Sequence, residues 1–122
     1  MPTTSMQSHL RAALTEALSS RDGVAAAAIR SALSAIANAE AVPSAEGTRL
    51  FGSEYVAAAV AGLGAAEAAR RELTEADIAA IVSAEISDRR SAADDYDRLG
   101  RADQSERLRH EADILVDLLT VR

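Results

Sequence analysis

The chain has 122 residues, a formal net charge of -6 at pH 7 and no cysteine. This length is typical of one domain, and the lack of cysteine excludes disulfides, thiolate nucleophiles and thiolate metal sites. Hydrophobic residues make up 48% of the sequence but aromatic residues only 2%, because the apolar set is dominated by alanine. Alanine favours helices and adds little side chain to a core. We therefore expect an all-α, multihelical single domain of about five closely packed helices.

The acidic residues concentrate in the C-terminal part of the chain. Of the nineteen acidic residues, twelve lie after Leu73 and seven lie before it. Of the thirteen arginines, seven lie after Leu73 and six lie before it. An acidic helical unit disfavours long-range attraction to nucleic acid. All thirteen basic residues are arginine, which we attribute to a GC-rich, actinobacteria-like codon composition.

One apolar stretch imitates a signal peptide. The run VAAAAIRSALSAIANA ends in an A-x-A pattern, but Arg30 interrupts it and acidic residues precede it. No segment has the uninterrupted apolar length that crosses a bilayer. We predict a cytoplasmic protein without a membrane partner.

The first half of the chain predicts two helices and an irregular connection. Apolar spacing indicates a first helix over about 5–20 that Asp22-Gly23 ends, since glycine accepts the left-handed conformation. A second helix is predicted over about 24–41, and a short third helix over about 53–61. The residues expected to face the core are Met6, Leu10, Leu14 and Leu18 in the first helix and Ile29, Leu33 and Ile36 in the second.

The second half, 72–119, predicts an antiparallel helical hairpin. Thr74 and Asp77 form a capping-box-like start for a fourth helix, and Leu73 can pack onto Ile78 as a hydrophobic staple. Gly100 is expected to end this helix, and a fifth helix follows over about 102–119. The fifth helix should present Leu108, Ala112, Leu115 and Leu119 to the core, and on the fourth we expect Asp94 to pair with Arg98.

A charged pair interrupts the apolar face of the fourth helix. Glu85 and Arg89 share that face with Ile78, Ile81, Val82, Ile86, Ala92, Ala93 and Tyr96. Their i to i+4 spacing, with glutamate first, favours direct pairing. On the second helix, Glu40 lies in line with the apolar residues and Arg30 flanks them. We hypothesise that these four charged side chains form one polar cluster between the second helix and the hairpin.

Three interpretations of this cluster are open. The first is an internal ionic latch, a set of ion pairs that fixes the register of the helices. The second is a cleft in which arginine recognises a carboxylate or phosphate. The third is an exposed pair that contributes little to stability. The latch is a purely structural interpretation, whereas the cleft would make the protein an enzyme or receptor for a small carboxylate or amide. An open concave site would favour the cleft, whereas a filled cluster would favour the latch.

Other signals for chemistry are weak. His9 and His110 are far apart in sequence, Ser91 has no histidine beside it, and no glycine-rich phosphate loop is present. We therefore predict no metal, no cofactor and no catalytic residue. Arg70-Arg71 and Arg89-Arg90 are the only adjacent basic pairs, and we interpret them mainly as solvated surface.

Three segments resemble the GatB/YqeY family. They are RSALSAIANAE at 30–40, ELTEADIAAIVSAEISDRRSAADDYDRLGR at 72–101, and RLRHEADIL at 107–115. The resemblance and the charge pattern together select as candidate polar or ligand-binding residues Arg30, Asn38, Glu40, Glu85 and Arg89. The candidate RNA or partner contacts are Arg90, Tyr96 and Arg101.

The resemblance implies an accessory helical domain. Such domains occur as small stand-alone proteins and near the end of the B subunit of glutamine-dependent tRNA amidotransferases, carbon–nitrogen ligases with glutamine as amide donor. In these enzymes the domain leads to a tail that engages tRNA, whereas this sequence lacks the family's Tyr-Leu-Pro continuation. Segment 42–71 is longer than the family's usual connection, and its Phe51, Tyr55 and Leu63 are expected either to cover the core or to form a homo-oligomeric contact. We expect an interaction protein without its own catalysis, with a tRNA- or amidotransferase-associated factor as the alternative.

Overall fold

The computed structural model describes residues 5–41 and 72–120. Four helices occupy them: α1 (Met6–Ser19), α2 (Gly23–Ala41), α3 (Glu75–Arg98) and α4 (Ala102–Thr120). These two ranges contain no strand, so the prediction of an all-α fold with a C-terminal helical hairpin is confirmed. The predicted third helix and the contact residues Phe51, Tyr55 and Leu63 lie outside the described residues. In the described part of the chain, no helix combines the length and the apolar character needed to span a membrane.

The four helices pack around one core, and every pair of them is in contact. The most extensive contact is between α3 and α4, and the next is between α1 and α2. Small residues let α2 pack closely against its neighbours, because Ala25, Ala26, Ala28 and Ala32 are all buried. The largest fully buried apolar side chains are Met6, Leu10, Ile29, Ile36, Val82 and Leu115.

The buried face of α1 differs from the predicted one. Leu18 is 49% exposed, whereas Ala17 is buried. Each i to i+4 step advances about 40° around a helix, so Leu18 has turned about 120° from Met6. Ala17 lies only about 20° from Met6 and takes the core position instead. The prediction of Leu18 in the core was therefore wrong.

Both tight connections use the same C-terminal geometry but different residues. The Asp22 N–H donates to the Ala17 carbonyl at 2.8 Å, and the Arg101 N–H donates to the Tyr96 carbonyl at 2.8 Å, the pattern of a Schellman motif. Gly100 supplies the left-handed residue of the hairpin turn, with φ 72°.

The turn after α1 corrects the sequence-based prediction. The left-handed residue there is Arg21, with φ 58°, and Gly23 is already the first residue of α2. The Asp22 carboxylate accepts from the Ala25 N–H at 3.1 Å, so it caps the start of α2. Asp22 therefore caps the start of α2 and does not end α1. The left-handed residue that follows α1 is Arg21.

The start of α3 is capped as predicted. The Asp77 N–H donates to the Thr74 hydroxyl at 3.0 Å, and the Thr74 N–H donates to the Asp77 carboxylate at 3.0 Å. Leu73 packs against the core, of which Ile78 is a member. The Met6 N–H also donates to Glu75 Oε2 at 3.0 Å, so the N-termini of α1 and α3 are tied together.

Candidate functional site

Glu85 and Arg89 lie at the meeting point of α2, α3 and α4. Arg89 Nη1 donates to Glu85 Oε1 at 3.0 Å and to the Glu85 carbonyl at 3.2 Å. Its Nε donates to Oε1 of Glu111, on α4, at 2.9 Å. From α2, the hydroxyl of Ser31 donates to Glu85 Oε1 at 2.6 Å. We call these four residues, together with Arg107, the Arg89 cluster.

Arg107 closes the α4 side of the Arg89 cluster. Its Nε lies 3.5 Å from Oε2 of Glu111, but the Arg107 side chain itself is largely exposed. The cluster thus contains two carboxylates and two guanidinium groups, so its formal charge is zero. Arg89 is the shared donor in the centre, and Arg107 faces water at the edge.

The Arg89 cluster is mostly closed to solvent. The side chains of Arg89 and Glu111 are each 11% exposed, and that of Glu85 is 19% exposed. Burying charges costs solvation, so such a group persists when its partners replace the lost water. Here Nε and Nη1 of Arg89 are both engaged by internal acceptors. The arrangement can hold three helices in register, and it leaves little of the arginine available to a ligand.

The predicted single polar cluster is divided between two places. Glu85 and Arg89 face Ser31, whereas Arg30 and Glu40 line a separate groove between α1 and α2. The division follows from helical geometry: Arg30 is turned about 100° from Ser31, and Glu40 about 180°. Asn38 is exposed on α2.

Three members of the Arg89 cluster were not identified from the sequence. Ser31 is a short polar residue with no charge to mark it, and Arg107 is mostly exposed. Glu111 did carry a signal in the sequence, because it lies four residues before Leu115, which was predicted to face the core. The same test that selected Glu85, a charge on the apolar face of its helix, would have selected Glu111.

Two of the candidate RNA or partner contacts, Arg90 and Tyr96, lie on different sides of α3. Arg90 and Arg101 are exposed and Tyr96 is half-buried. Arg90 and Tyr96 are about 120° apart around α3, and Arg101 follows the helix at the hairpin turn. The structure therefore separates Arg90 from Tyr96, whereas the Arg101 N–H is hydrogen-bonded to the Tyr96 carbonyl. Arg70 and Arg71 lie outside the described residues.

A second ionic network lies on the surface near the hairpin turn. Arg109 Nη2 contacts Asp94 Oδ1 at 2.8 Å and Asp97 Oδ2 at 2.7 Å, and Nη1 donates to the buried Ser105 hydroxyl. Hydrogen bonds from Arg109 and then from Ser105 hold the pKa of Asp97 below its ordinary value. The same contact with Asp97 raises the pKa of Arg109.

One predicted ion pair on this surface was wrong. Asp94 pairs with Arg109 of α4 instead of Arg98, and Arg98 pairs with Asp95. Asp95 is three residues before Arg98, a spacing that also brings side chains together on a helix. The sequence alone did not distinguish it from the i to i+4 alternative.

The histidines and acidic residues form no metal site in the ranges 5–41 and 72–120, where no group of three or more such ligands comes together. His110 is exposed. His9 is partly buried, and its Nε2 atom has no hydrogen-bond partner among the described residues.

Comparison with known proteins adds no relative: no family model matches the chain, and neither the curated proteins nor the solved structures give a match. The GatB/YqeY resemblance of the three sequence segments therefore stays a prediction.

Proposed function

We propose that this protein is a non-catalytic helical interaction module that works by assembly with another protein. The observation that carries the proposal is the closure of the Arg89 cluster. Arg89 donates to Glu85 and Glu111, and Glu85 also accepts from the Ser31 hydroxyl. A catalytic or receptor arginine needs donors that are free to bind substrate, and here they serve the fold.

The sequence resemblance suggests which assembly to test. We propose a cytoplasmic GatB/YqeY-like accessory protein that associates with a glutamine-dependent tRNA amidotransferase. Support comes from the order of the resembling segments 30–40, 72–101 and 107–115 and from their placement on helices. All three fall on α2 or on the α3–α4 hairpin, where an accessory helical domain would carry them.

A protein partner is favoured over direct tRNA binding. Among the described arginines of the hairpin, Arg98, Arg107 and Arg109 already lie beside carboxylates. Within 5–41 and 72–120, the exposed Arg90 and Arg101 form no ion pair. Phosphate binding draws its affinity from several cations acting together. An acidic hairpin with two unpaired cations offers little of that.

Two binding measurements test the proposal. Biolayer interferometry with the immobilised full-length protein measures association with a purified amidotransferase core, and a gel shift at low salt measures association with tRNA. We expect association with the enzyme and no tRNA shift. A tRNA shift that weakens in Arg90→Gln/Arg101→Gln would favour the RNA-binding alternative and overturn the proposed preference.

The enzyme alternative has its own measurement. Amide hydrolysis is followed with glutamine as substrate, comparing the wild type with Arg89→Met. We expect no turnover above background in either protein. Turnover in the wild type that is lost in a folded Arg89→Met variant would overturn the non-catalytic proposal.

A further inference from the structure

A groove between α1 and α2 contains Arg30 and Glu40, the two residues of the predicted polar cluster that lie outside the Arg89 cluster. Its volume is about 420 Å³, which lies within the range of small-molecule sites. Arg11 and Glu40 lie on opposite helices of this groove, and Arg30 lies beside the half-buried Leu33. Leu14 of α1 adds a second half-buried leucine. We call this site the α1–α2 groove.

The two arginines of the α1–α2 groove lie at the same level along the helix pair. A tight turn joins α1 to α2, so the two helices are antiparallel neighbours. Arg11 is ten residues before Arg21 in the turn, and Arg30 is nine residues after it. Both distances along the helices are therefore about 14–15 Å, which puts Arg11 and Arg30 across the groove from each other.

These arginines are available for a ligand. Four other arginines, Arg89, Arg98, Arg107 and Arg109, pair with carboxylates. Within 5–41 and 72–120, neither Arg11 nor Arg30 forms an ion pair. Guanidinium groups recognise carboxylates through paired N–H donors, and two of them across a groove form a local cationic site on an acidic protein.

The rest of the α1–α2 groove restricts the kind of anion. Leu14 and Leu33 pack against the core but stay partly open, so they offer an apolar surface beside the cations. Glu40 lies ten residues beyond Arg30, about 15 Å along α2, and would repel a second negative group at that end. The net charge of -6 also opposes polyanions.

We propose that the α1–α2 groove binds a soluble monocarboxylate with an apolar body. Arg11 and Arg30 hold the carboxylate, and the apolar body lies on Leu14 and Leu33. This site is separate from the proposed assembly with a partner protein, so either proposal can fail without the other.

Three matched probes test the proposal by NMR titration of the 15N-labelled full-length protein. Octanoate, octanol and octylammonium have nearly the same apolar chain, which is one methylene shorter in octanoate, but a negative, neutral or positive head. We expect octanoate to cause saturable shifts in the amides of 7–14 and 30–40. Octanol and octylammonium should bind at least about tenfold more weakly, because they lack the charge-assisted contacts with the arginines.

Paired variants separate the groove from the overall charge. Arg11→Gln/Arg30→Gln should weaken octanoate binding about tenfold, whereas Arg90→Gln/Arg101→Gln, which removes the same charge elsewhere, should change it less than about twofold. Thermal melts confirm that both variants fold, and the single variant Arg11→Gln repeats the test with a smaller change. Equal binding of the three probes, equal weakening by both pairs, or no saturable shift would each overturn the proposal.

Discussion

Two arginines of the hairpin have similar partners and different surroundings. Arg89 lies between Glu85 and Glu111 and is 11% exposed, whereas Arg109 lies between Asp94 and Asp97 and is 43% exposed. Each has one guanidinium group, two carboxylates and a nearby serine. The two groups therefore differ mainly in burial. Burial raises both the solvation cost of the charges and the stability that is lost when one of the charges is removed.

The difference in burial follows from the second helix. The cluster around Arg89 includes Ser31 of α2, so three helices enclose it. The ionic contacts described for Arg109 all belong to α3 and α4. Arg89 therefore connects the hairpin to the rest of the bundle, and Arg109 connects only the two helices of the hairpin near their turn.

Removing the buried cation should have the largest effect. Arg89→Ala leaves Glu85 and Glu111 close together without their shared guanidinium, and we expect a loss of about 2–4 kcal/mol in the free energy of unfolding. Urea unfolding followed by circular dichroism measures it. The triple variant Glu85→Gln/Arg89→Met/Glu111→Gln removes all three charges and should recover part of the loss. A loss in Arg89→Ala below about 0.5 kcal/mol, the size of a surface pair, would contradict the buried status of this cluster.

The contact from α2 should contribute less. Ser31→Ala removes the hydroxyl that donates to Glu85, and we expect a loss of about 1 kcal/mol in the free energy of unfolding. Ser34→Ala is the matched control on the same helix, because this exposed serine can gain a little from the higher helix propensity of alanine. Equal effects of the two substitutions would show that α2 adds nothing to the stability of the Arg89 cluster.

The sequence allowed the hairpin to be predicted because its signals are local. Thr74 with Asp77, and Gly100 at the turn, act within a few residues of themselves. The i to i+4 pairing of Glu85 with Arg89 is local in the same sense. Ser31 was missed because its role depends on how α2 packs against the hairpin, which no short pattern encodes. The groove that holds Arg30 and Glu40 depends on the same packing.

Removing the exposed cation, Arg109, should have a smaller effect on stability, and added salt should reduce that effect. Arg109→Gln keeps much of the side chain and removes the charge from Asp94 and Asp97. We expect a smaller destabilisation than for Ser31→Ala, because exposed pairs gain little over their hydration. The measurement is a thermal melt at low salt and again at about 0.5 M NaCl, where exposed charges are screened beyond about 4 Å. A larger effect than that of Arg89→Ala would reverse the comparison.

The smallest expected effect is a pH dependence at the exposed network. Arg109 and then Ser105 lower the pKa of Asp97 in the folded protein from its ordinary 3.8. A depressed folded pKa stabilises the fold above the unfolded pKa, and this contribution is lost as pH falls through the folded value. Asp97→Asn should therefore lower the unfolding midpoint slightly at neutral pH, and its difference from the wild type should disappear as pH falls through the folded pKa of Asp97. Asp88→Asn, at an exposed aspartate of α3, removes the same charge outside this network and is the control. A difference between Asp97→Asn and wild type that grows as pH falls would have the wrong sign for this network, because it would require Asp97 to be stabilising in its neutral form.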